Sequence, residues 1–181
     1  LDHFFIAGWN RGGFDAQYPE YYPDMELGSP GDLARGCAYI SDNGGVTTFY
    51  VNARLFDVNS SYYPTVGRRW AVKDERGEQI FETYAPNRFA VMCPAHAPWQ
   101  EHLVGTAEWL IRATGCEGIY LDQLGSATPY PCFDPEHAHG HPACFNHGYM
   151  EILDRLRPLA ALMIENCGDI YSSRVWASYV W

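Results

Sequence analysis

The stretch Gly118-Ile119-Tyr120-Leu121-Asp122 places a carboxylate directly after a short apolar run. A run of this length between turn residues is typical of a strand that is buried on both faces. Residues 98–114 precede it with apolar side chains at helical spacing, and Gly115 is expected to end that helix. A helix, a glycine and an apolar strand in this order predict one repeat of a parallel α/β sheet.

The same pattern recurs on both sides of this stretch. Strands are predicted at 4–7, 46–51, 118–121 and 159–164, and helices are predicted to begin at Pro30 (with Ser29 as N-cap), at Pro98 and after Asn146 as cap. These units predict an α/β fold, with residues 1–181 forming one partial TIM (β/α)₈ barrel domain that covers roughly barrel strands 2 to 5. Because a complete barrel takes about 250 residues, both ends look truncated. The rest of the barrel or a partner chain is expected to cover the open sheet edges.

An irregular region, about 57–94, interrupts the repeat between the second and third predicted strands. Within it, Asp74-Glu75-Arg76-Gly77 has the composition of a turn that joins residues 70–72 to residues 79–81. The sequence therefore predicts an inserted β-hairpin, followed by a further short strand at 89–92.

The composition excludes some classes of partner. Of the 181 residues, 22 are acidic and 12 are basic, which gives a formal charge of −10. General binding to nucleic acid or to an anionic membrane surface needs a basic face, so we predict neither partner. No apolar run approaches the roughly 18 residues of a membrane span. We expect a soluble protein, and its compartment stays open.

Polar side chains gather where each predicted strand stops. They are Trp9, Asn10 and Arg11 after the first strand, Asn52 and Arg54 after the second, Asp122 and Gln123 after the third, and Glu165 and Asp169 after the fourth. The carboxyl ends of parallel strands converge, so we predict a binding site there. The alternative is that these residues cap helices and form turns.

Asp122 and Glu165 occupy matching places on neighbouring predicted strands. Glycosidic cleavage needs two such carboxyl groups, one to attack the sugar or activate water and one to protonate the leaving oxygen. A separation of about 5–5.5 Å predicts retention of configuration, and about 6.5–9.5 Å predicts inversion. In the alternative interpretation, Asp122 caps the next element and Glu165 pairs with an arginine such as Arg54.

The long polar loop at about 123–145 is rich in zinc-ligand residue types. It contains Cys132, Cys144, His137, His139 and His141. Their spacing matches no closed zinc motif, but alternating histidines on an extended segment point the same way, so these three could converge on a metal ion. Otherwise the loop covers the carboxylates as a lid, with histidines bonding to substrate. The six cysteines are expected to be mostly free buried thiols, although a disulfide between the two loop cysteines is possible in an exported protein.

Several of these segments resemble a family of uncharacterised bacterial glycosidase-like barrel proteins. The resemblance rests on residues 8–15 with 18–24 after them, and on residues 50–54, 118–123 and 165–169. More distantly, the order is similar to retaining glycoside hydrolases of the alpha-amylase type and to endo-alpha-N-acetylgalactosaminidases. The resemblance implies that Asp122 is the nucleophile and Glu165 the acid/base. Tyr120 stands where the amylase pattern has an arginine, so an amylase-like subsite is not implied.

The sequence therefore predicts a retaining glycoside hydrolase that acts on a carbohydrate and needs no cofactor. Residues expected to contact the sugar or tune the carboxylates are Trp9, Asn10, Arg11, Asp15, Asn52, Arg54, Gln123, His139, His141 and Asp169. Two alternatives remain open. One is a metal-dependent hydrolase that uses His137, His139 and His141, with Asp122 as a further ligand. The other is a carbohydrate-binding barrel without catalysis.

Overall fold

The main sheet is built from five parallel strands. They are β1 (His3–Ile6), β2 (Val46–Asn52), β6 (Gly118–Asp122), β7 (Ala161–Glu165) and β8 (Ala177–Tyr179), and they lie side by side in that order. The computed structural model describes residues 2–84, 86–166 and 169–180. Four of these strands are the predicted ones. The fifth, β8, was not predicted because Ala177-Ser178-Tyr179 is too short to show an apolar pattern.

Helices connect consecutive strands. They are α1 (Pro30–Asp42), α2 (Arg68–Trp70), α3 (Ala97–Thr114) and α4 (Phe145–Leu156), with a π-helical turn at Tyr63–Gly67 and a 3₁₀ turn at Asp169–Arg174. The predicted N-cap of α1 is confirmed, because Ser29 Oγ accepts a hydrogen bond from the backbone N–H of Asp32 at 3.2 Å. Gly115 ends α3 in the left-handed conformation, with φ of 70°.

The predicted cap of α4 is wrong. Cys144 occupies the N-cap position, and Asn146 lies inside the first turn. The Asn146 side chain instead accepts a hydrogen bond from the Tyr171 hydroxyl at 3.0 Å, so it ties the helix to the 3₁₀ turn.

The five-stranded sheet is strongly curled. Strands β1 and β8 form its two edges, and five strands at about 4.8 Å spacing would hold them far apart in a flat sheet. Yet the rings of Phe5 on β1 and Tyr179 on β8 lie 5.5 Å apart, centroid to centroid. Both rings also contact Tyr120 on the central strand, at 5.0 and 5.9 Å. The sheet is therefore a half-barrel with aromatic side chains on its inner face, as the partial TIM barrel prediction requires.

The outer face of the sheet forms the core with the helices. Phe49, Ile119 and Ile164 alternate with the inward-facing residues and are fully buried. In the described residues, β1 and β8 pair with a strand on one side each. That more chain or a partner covers these edges stays a prediction. No helix in the part of the chain that the structure describes could cross a membrane.

A second, antiparallel sheet lies between β2 and α3 in the chain. Its strands are β3 (Leu55–Asp57), β4 (Phe81–Tyr84) and β5 (Asn87–Val91), with β5 in the middle. An inserted hairpin was predicted with arms at 70–72 and 79–81, and these arms do pair, because the Ile80 N–H donates to the Val72 carbonyl at 3.2 Å. The predicted turn at residues 74–77 does form, closed by the Lys73–Gln79 bridge. The Val72 N–H also donates to the carbonyl of Val91 on β5 at 2.8 Å, so this short hairpin is hydrogen-bonded to the second sheet, in which β4 and β5 form a further hairpin.

The cysteines follow the prediction as far as they are described. Cys37, Cys93, Cys116, Cys132 and Cys144 are free thiols, and the first four are buried. Cys167 lies outside the described residues. The disulfide considered for the two loop cysteines is not present.

Candidate active site

The register of the sheet brings Asp122 and Glu165 side by side. Leu121 on β6 aligns with Ile164 on β7, and Asp122 and Glu165 are the next residue on each strand. Residues at the same level of neighbouring parallel strands share a face, about 4.8 Å apart along the backbone. Asn52 aligns with Asp122 on the other side, through β2. The carboxyl ends of three neighbouring strands therefore present an amide and two carboxyl groups in one row.

One oxygen of Asp122 is firmly held. Its Oδ2 accepts hydrogen bonds from the Tyr50 hydroxyl at 2.8 Å and from the Asn52 side-chain amide at 3.0 Å. Its Oδ1 has a long contact of 3.5 Å with the Tyr120 hydroxyl. The carboxyl group is thus oriented mainly through Oδ2, and Oδ1 is held less closely.

Burial raises the pKa of Asp122 to about 6. The hydrogen bonds from Tyr50 and Asn52 act in the opposite direction because they stabilise the charged form, whereas the nearby charge of Glu165 raises the pKa further. Asp122 is therefore a carboxylate at neutral pH, but one whose charge is held in a partly desolvated place. Such a charge is more reactive than one in bulk water.

Tyr50 belongs to a chain of hydrogen bonds that runs to Asp122 from the first loop, which joins β1 to α1 (residues 7–29). The backbone N–H of Asp15 donates to the Tyr18 hydroxyl at 2.8 Å, and that hydroxyl lies 3.0 Å from the Tyr50 hydroxyl. Burial raises the pKa of both tyrosines above the usual range, so their hydroxyls stay protonated. The first loop therefore fixes the orientation of Asp122 without contacting it.

Glu165 faces the same cleft as Asp122. Its Oε2 accepts a hydrogen bond from the Ser126 hydroxyl at 2.5 Å. The cleft has a volume of about 450 Å³. Its lining consists of Phe14, Asp15, Tyr50, Glu82, Tyr84, Asp122, Gln123, Ser126, Ala127, Thr128 and Glu165. This is a polar, open site of the size that a sugar ring needs.

A left-handed residue follows each carboxylate. Gln123, after Asp122, has φ of 60°, and Asn166, after Glu165, has φ of 45°. Non-glycine residues in this region are uncommon and cluster at functional sites. Both turns carry the chain sharply away from the strand, which leaves the two carboxyl groups at the rim of the cleft.

Several residues predicted to contact the sugar lie beneath the cleft or away from it. Trp9 and Asn10 are buried, and Trp9 donates to the Tyr50 carbonyl at 2.9 Å. Arg11 is exposed and bonds to Gln17, and Asp169 is exposed at the start of the 3₁₀ turn. Of the predicted set, Asp15 and Gln123 line the cleft together with the two carboxylates.

Arg54 is fully buried and does not pair with Glu165. Its guanidinium donates to Glu82 Oε1 at 2.7 and 3.0 Å and to the Thr128 carbonyl at 3.0 Å. Glu82 and Thr128 both line the cleft. The structure therefore places Arg54 as a support that holds one wall of the cleft.

The histidine loop is also placed differently from its prediction. His137 is buried, its ring stacked 4.0 Å from that of His96. His141 is exposed, and its Nδ1 accepts a hydrogen bond from the backbone of Ala143. Neither His139 nor His141 lines the cleft. The three histidines do not converge on Asp122.

Several residues that line the cleft were not in the predicted set, among them Tyr50, Glu82, Tyr84 and Ser126. Tyr50 could have been found, because it alternates with Asn52 and so shares its face of β2. The others had no local signal. A larger hollow of about 500 Å³ exists elsewhere, but its lining is mostly apolar and its carboxylate, Glu20, is bound by Ser60 at 2.5 Å.

Gly125 provides a test of how closely the two strand ends must fit. A Cβ at this position would overlap the backbone carbonyl oxygens of Glu165 and Asn166. Gly125→Ala should cost about 1–3 kcal/mol of stability, because backbone cannot yield as a flexible side chain does. It should also lower turnover roughly 10²-fold by shifting Glu165 relative to Asp122. Denaturant unfolding and steady-state kinetics measure the two effects.

Gly140→Ala is the matched control for this substitution, since it lies in the same loop and its added Cβ would meet no atom within 4 Å. It should leave both quantities unchanged. Equal effects at the two glycines would contradict the argument.

The fold and the site together define a class: a partial (β/α)₈ barrel that carries paired carboxylates at its strand ends. Residues 3–160 match the family model described as "Domain of unknown function (DUF6259)", and the chain belongs to that family.

Comparison with individual proteins agrees with this class. A protein of Bacteroides thetaiotaomicron named "Putative glycoside hydrolase" is 28% identical over 153 residues, which cover 82% of this chain and 22% of that protein. "Putative glycoside hydrolase 22789" of Monosiga brevicollis is 29% identical over 178 residues, covering 90% of this chain and 15% of that protein. The chain thus spans less than a quarter of either relative.

A solved structure shows the same fold. Alpha-N-acetylgalactosaminidase NagBb from Bifidobacterium bifidum superposes on 98% of this chain and 28% of its own, with a TM-score of 0.83 at 17% identity. The resemblance to glycosidase-like barrel proteins that the sequence predicts is confirmed.

Proposed function

We propose that this chain is part of the catalytic barrel of a retaining glycoside hydrolase, with Asp122 as the nucleophile and Glu165 as the acid/base. One observation carries the proposal: the two carboxyl groups lie at the same level of adjacent strands, at the rim of one open cleft. Adjacent strands favour the shorter of the two separations, about 5–5.5 Å, which belongs to retaining enzymes.

In this proposal each carboxyl group has its own role. Asp122 Oδ1 attacks the anomeric carbon while Tyr50 and Asn52 hold Oδ2. Glu165 gives its proton to the glycosidic oxygen, the bond to that oxygen breaks, and the alcohol leaves. Glu165 then takes a proton from water as the water oxygen attacks the anomeric carbon. Asp122 leaves as a carboxylate, and the sum is hydrolysis of one glycosidic bond by one water molecule.

The cleft suits a sugar with several hydroxyl groups. Asp15, Glu82 and Gln123 offer acceptors and donors along its walls, and the half-exposed ring of Phe14 offers an apolar face. NagBb, which shares the fold, is an alpha-N-acetylgalactosaminidase. We propose alpha-linked N-acetylgalactosaminides as the first substrates to examine, with alpha-galactosides beside them.

The metal-dependent alternative has less support. The histidines that it needs lie outside the cleft, and Asp122 is bound by tyrosine and asparagine donors instead. The other alternative, a carbohydrate-binding barrel without catalysis, is distinguished from the proposal by whether the protein hydrolyses any glycoside.

The stereochemistry of the product tests the proposal. The purified protein is incubated with a panel of p-nitrophenyl alpha-glycosides, and NMR follows the first-formed free sugar before it mutarotates. We expect the alpha anomer to form first. A first-formed beta anomer would show inversion, and sugar binding without turnover of any glycoside would support a binding barrel.

A further inference from the structure

A second cluster of reactive side chains lies outside the cleft. Cys93, Cys132, His137 and His139 each offer one ligand atom, and these four atoms all lie within 4.8 Å of one another. Cys93 follows β5, whereas the other three belong to the loop between β6 and α4. None of the four lines the candidate active site.

His137 is prepared to bind a metal through one nitrogen. Its Nε2 lies 2.8 Å from the carbonyl oxygen of Arg69. A carbonyl can only accept, so Nε2 carries the proton and Nδ1 keeps its lone pair. Nδ1 faces Cys132 Sγ at 3.3 Å, close to the separation of about 3.5 Å that bond lengths near 2.3 and 2.0 Å give two ligands of a tetrahedral zinc ion. A carbonyl that fixes the far nitrogen is the usual support of a zinc-bound histidine.

His139 provides independent evidence that a metal ion binds in this cluster. Both of its ring nitrogens are buried, and neither has a hydrogen-bond partner in the described part of the chain. Leaving a buried polar group unsatisfied is costly, so native proteins rarely do it. A bond from one ring nitrogen to a metal ion would satisfy it.

The donor set selects the ion. Two thiolates and two neutral imidazoles prefer zinc, and together with Zn²⁺ they form an uncharged group that can stay buried. Four protein ligands leave no open position, which is the pattern of structural rather than catalytic zinc sites.

We propose that Cys93, Cys132, His137 and His139 bind one structural Zn²⁺ ion that fastens the loop between β6 and α4 to the end of β5. The loop includes Ser126, Ala127 and Thr128, which form one wall of the candidate active site. The ion would therefore hold this wall of the cleft in place. This inference does not depend on what the cleft binds.

Metal analysis of the purified protein tests the proposal. The protein is produced with zinc in the medium, purified without chelators, and assayed by inductively coupled plasma mass spectrometry. We expect about one zinc per chain in the wild type, by mass action on a site of this type. The zinc content of the Cys132→Ser and His139→Ala variants should fall to near zero. His141→Ala is the matched control, because that exposed ring lies in the same loop but outside the cluster, and it should keep its zinc.

Two measurements on the wild type keep the test valid even if the variants fail to fold. Replacing zinc with Co²⁺ should produce the strong visible absorption of a tetrahedral thiolate site. Removing zinc with a chelator should lower the melting temperature by about 10 °C, and returning zinc should restore it. Wild-type protein that takes up no zinc and has freely reactive thiols would overturn the proposal. So would a mass lower by two hydrogens together with peptide mapping that finds Cys93 or Cys132 in a disulfide.

Discussion

Asp122→Asn is expected to lower kcat for glycoside turnover on the order of 10⁴-fold or more. Asparagine keeps the size of the side chain and can still accept a hydrogen bond from Tyr50 or Asn52. It carries no charge, however, and cannot form the ester with the anomeric carbon that a retaining mechanism requires. The measurement is kcat with the glycoside that the wild type hydrolyses fastest.

The same variant should not be less stable than the wild type at pH 7. Burial raises the pKa of Asp122 from 3.8 to about 6. Between these values the folded chain holds a proton that the unfolded chain has lost, so stability falls as the pH rises from about 4 to about 6. Above that range the whole cost is present, and an uncharged asparagine avoids it. Lower activity without lower stability is the mark of a functional rather than a structural carboxylate.

Asp122 should also set the acid side of the pH profile. Only its carboxylate can attack, so kcat/KM should rise with pH through about 6, where its pKa lies. Asp42→Asn is the control, because it makes the same chemical change at an exposed residue in the last turn of α1. An active Asp122→Asn variant, or a profile with no acid limb near pH 6, would remove Asp122 from the mechanism.

The strand ends could be predicted because their signal is local. An apolar run such as Gly118 to Leu121 reports burial on both faces, and parallel strands meet at their carboxyl ends whatever loops separate them. That argument brought Asp122 and Glu165 to neighbouring places without any knowledge of the loops, and the register agrees. Their chemical roles remain a proposal.

The sequence could not show which polar residues face the cleft. Arg54 follows a strand just as Gln123 does, but its guanidinium turns inward because Glu82 of the inserted sheet and the Thr128 carbonyl accept hydrogen bonds from it. Both partners are far away in the chain. Whether an arginine contacts substrate or supports a wall depends on such long-range pairing, and no local pattern reports it.

The prediction for the histidines of the loop between β6 and α4 missed their arrangement for a related reason. The expectation that His137, His139 and His141 converge assumed an extended segment, but residues 135–136 form a turn before it and the chain bends again at residues 140–142. The turn brings His137 and His139 to Cys132, and the inserted sheet supplies Cys93 from a distant part of the chain. A metal-ligand set closed by a long-range contact has no spacing motif to find.

Glu165→Gln is the second large effect that we expect, and its size should depend on the leaving group. Glutamine cannot protonate the glycosidic oxygen, so natural glycosides and other poor leaving groups should lose about 10²–10⁴-fold in kcat/KM. A dinitrophenyl glycoside leaves without a proton, so its kcat/KM should change little. Glu26→Gln makes the same chemical change at an exposed residue of the first loop and should leave both substrates unaffected.

Azide distinguishes an acid/base from any other role for Glu165. In the variant, the dinitrophenyl glycoside still forms the ester with Asp122, but water then attacks slowly because no base takes its proton. Azide is already an anion and needs no base, so it should restore turnover and form a glycosyl azide. Since the ester is attacked from the face that the leaving group vacated, this azide should keep the configuration of the substrate. An inverted glycosyl azide would mean that the roles of the two carboxylates are exchanged. No rescue, with equal loss on both substrates, would mean that Glu165 only maintains the structure of the cleft.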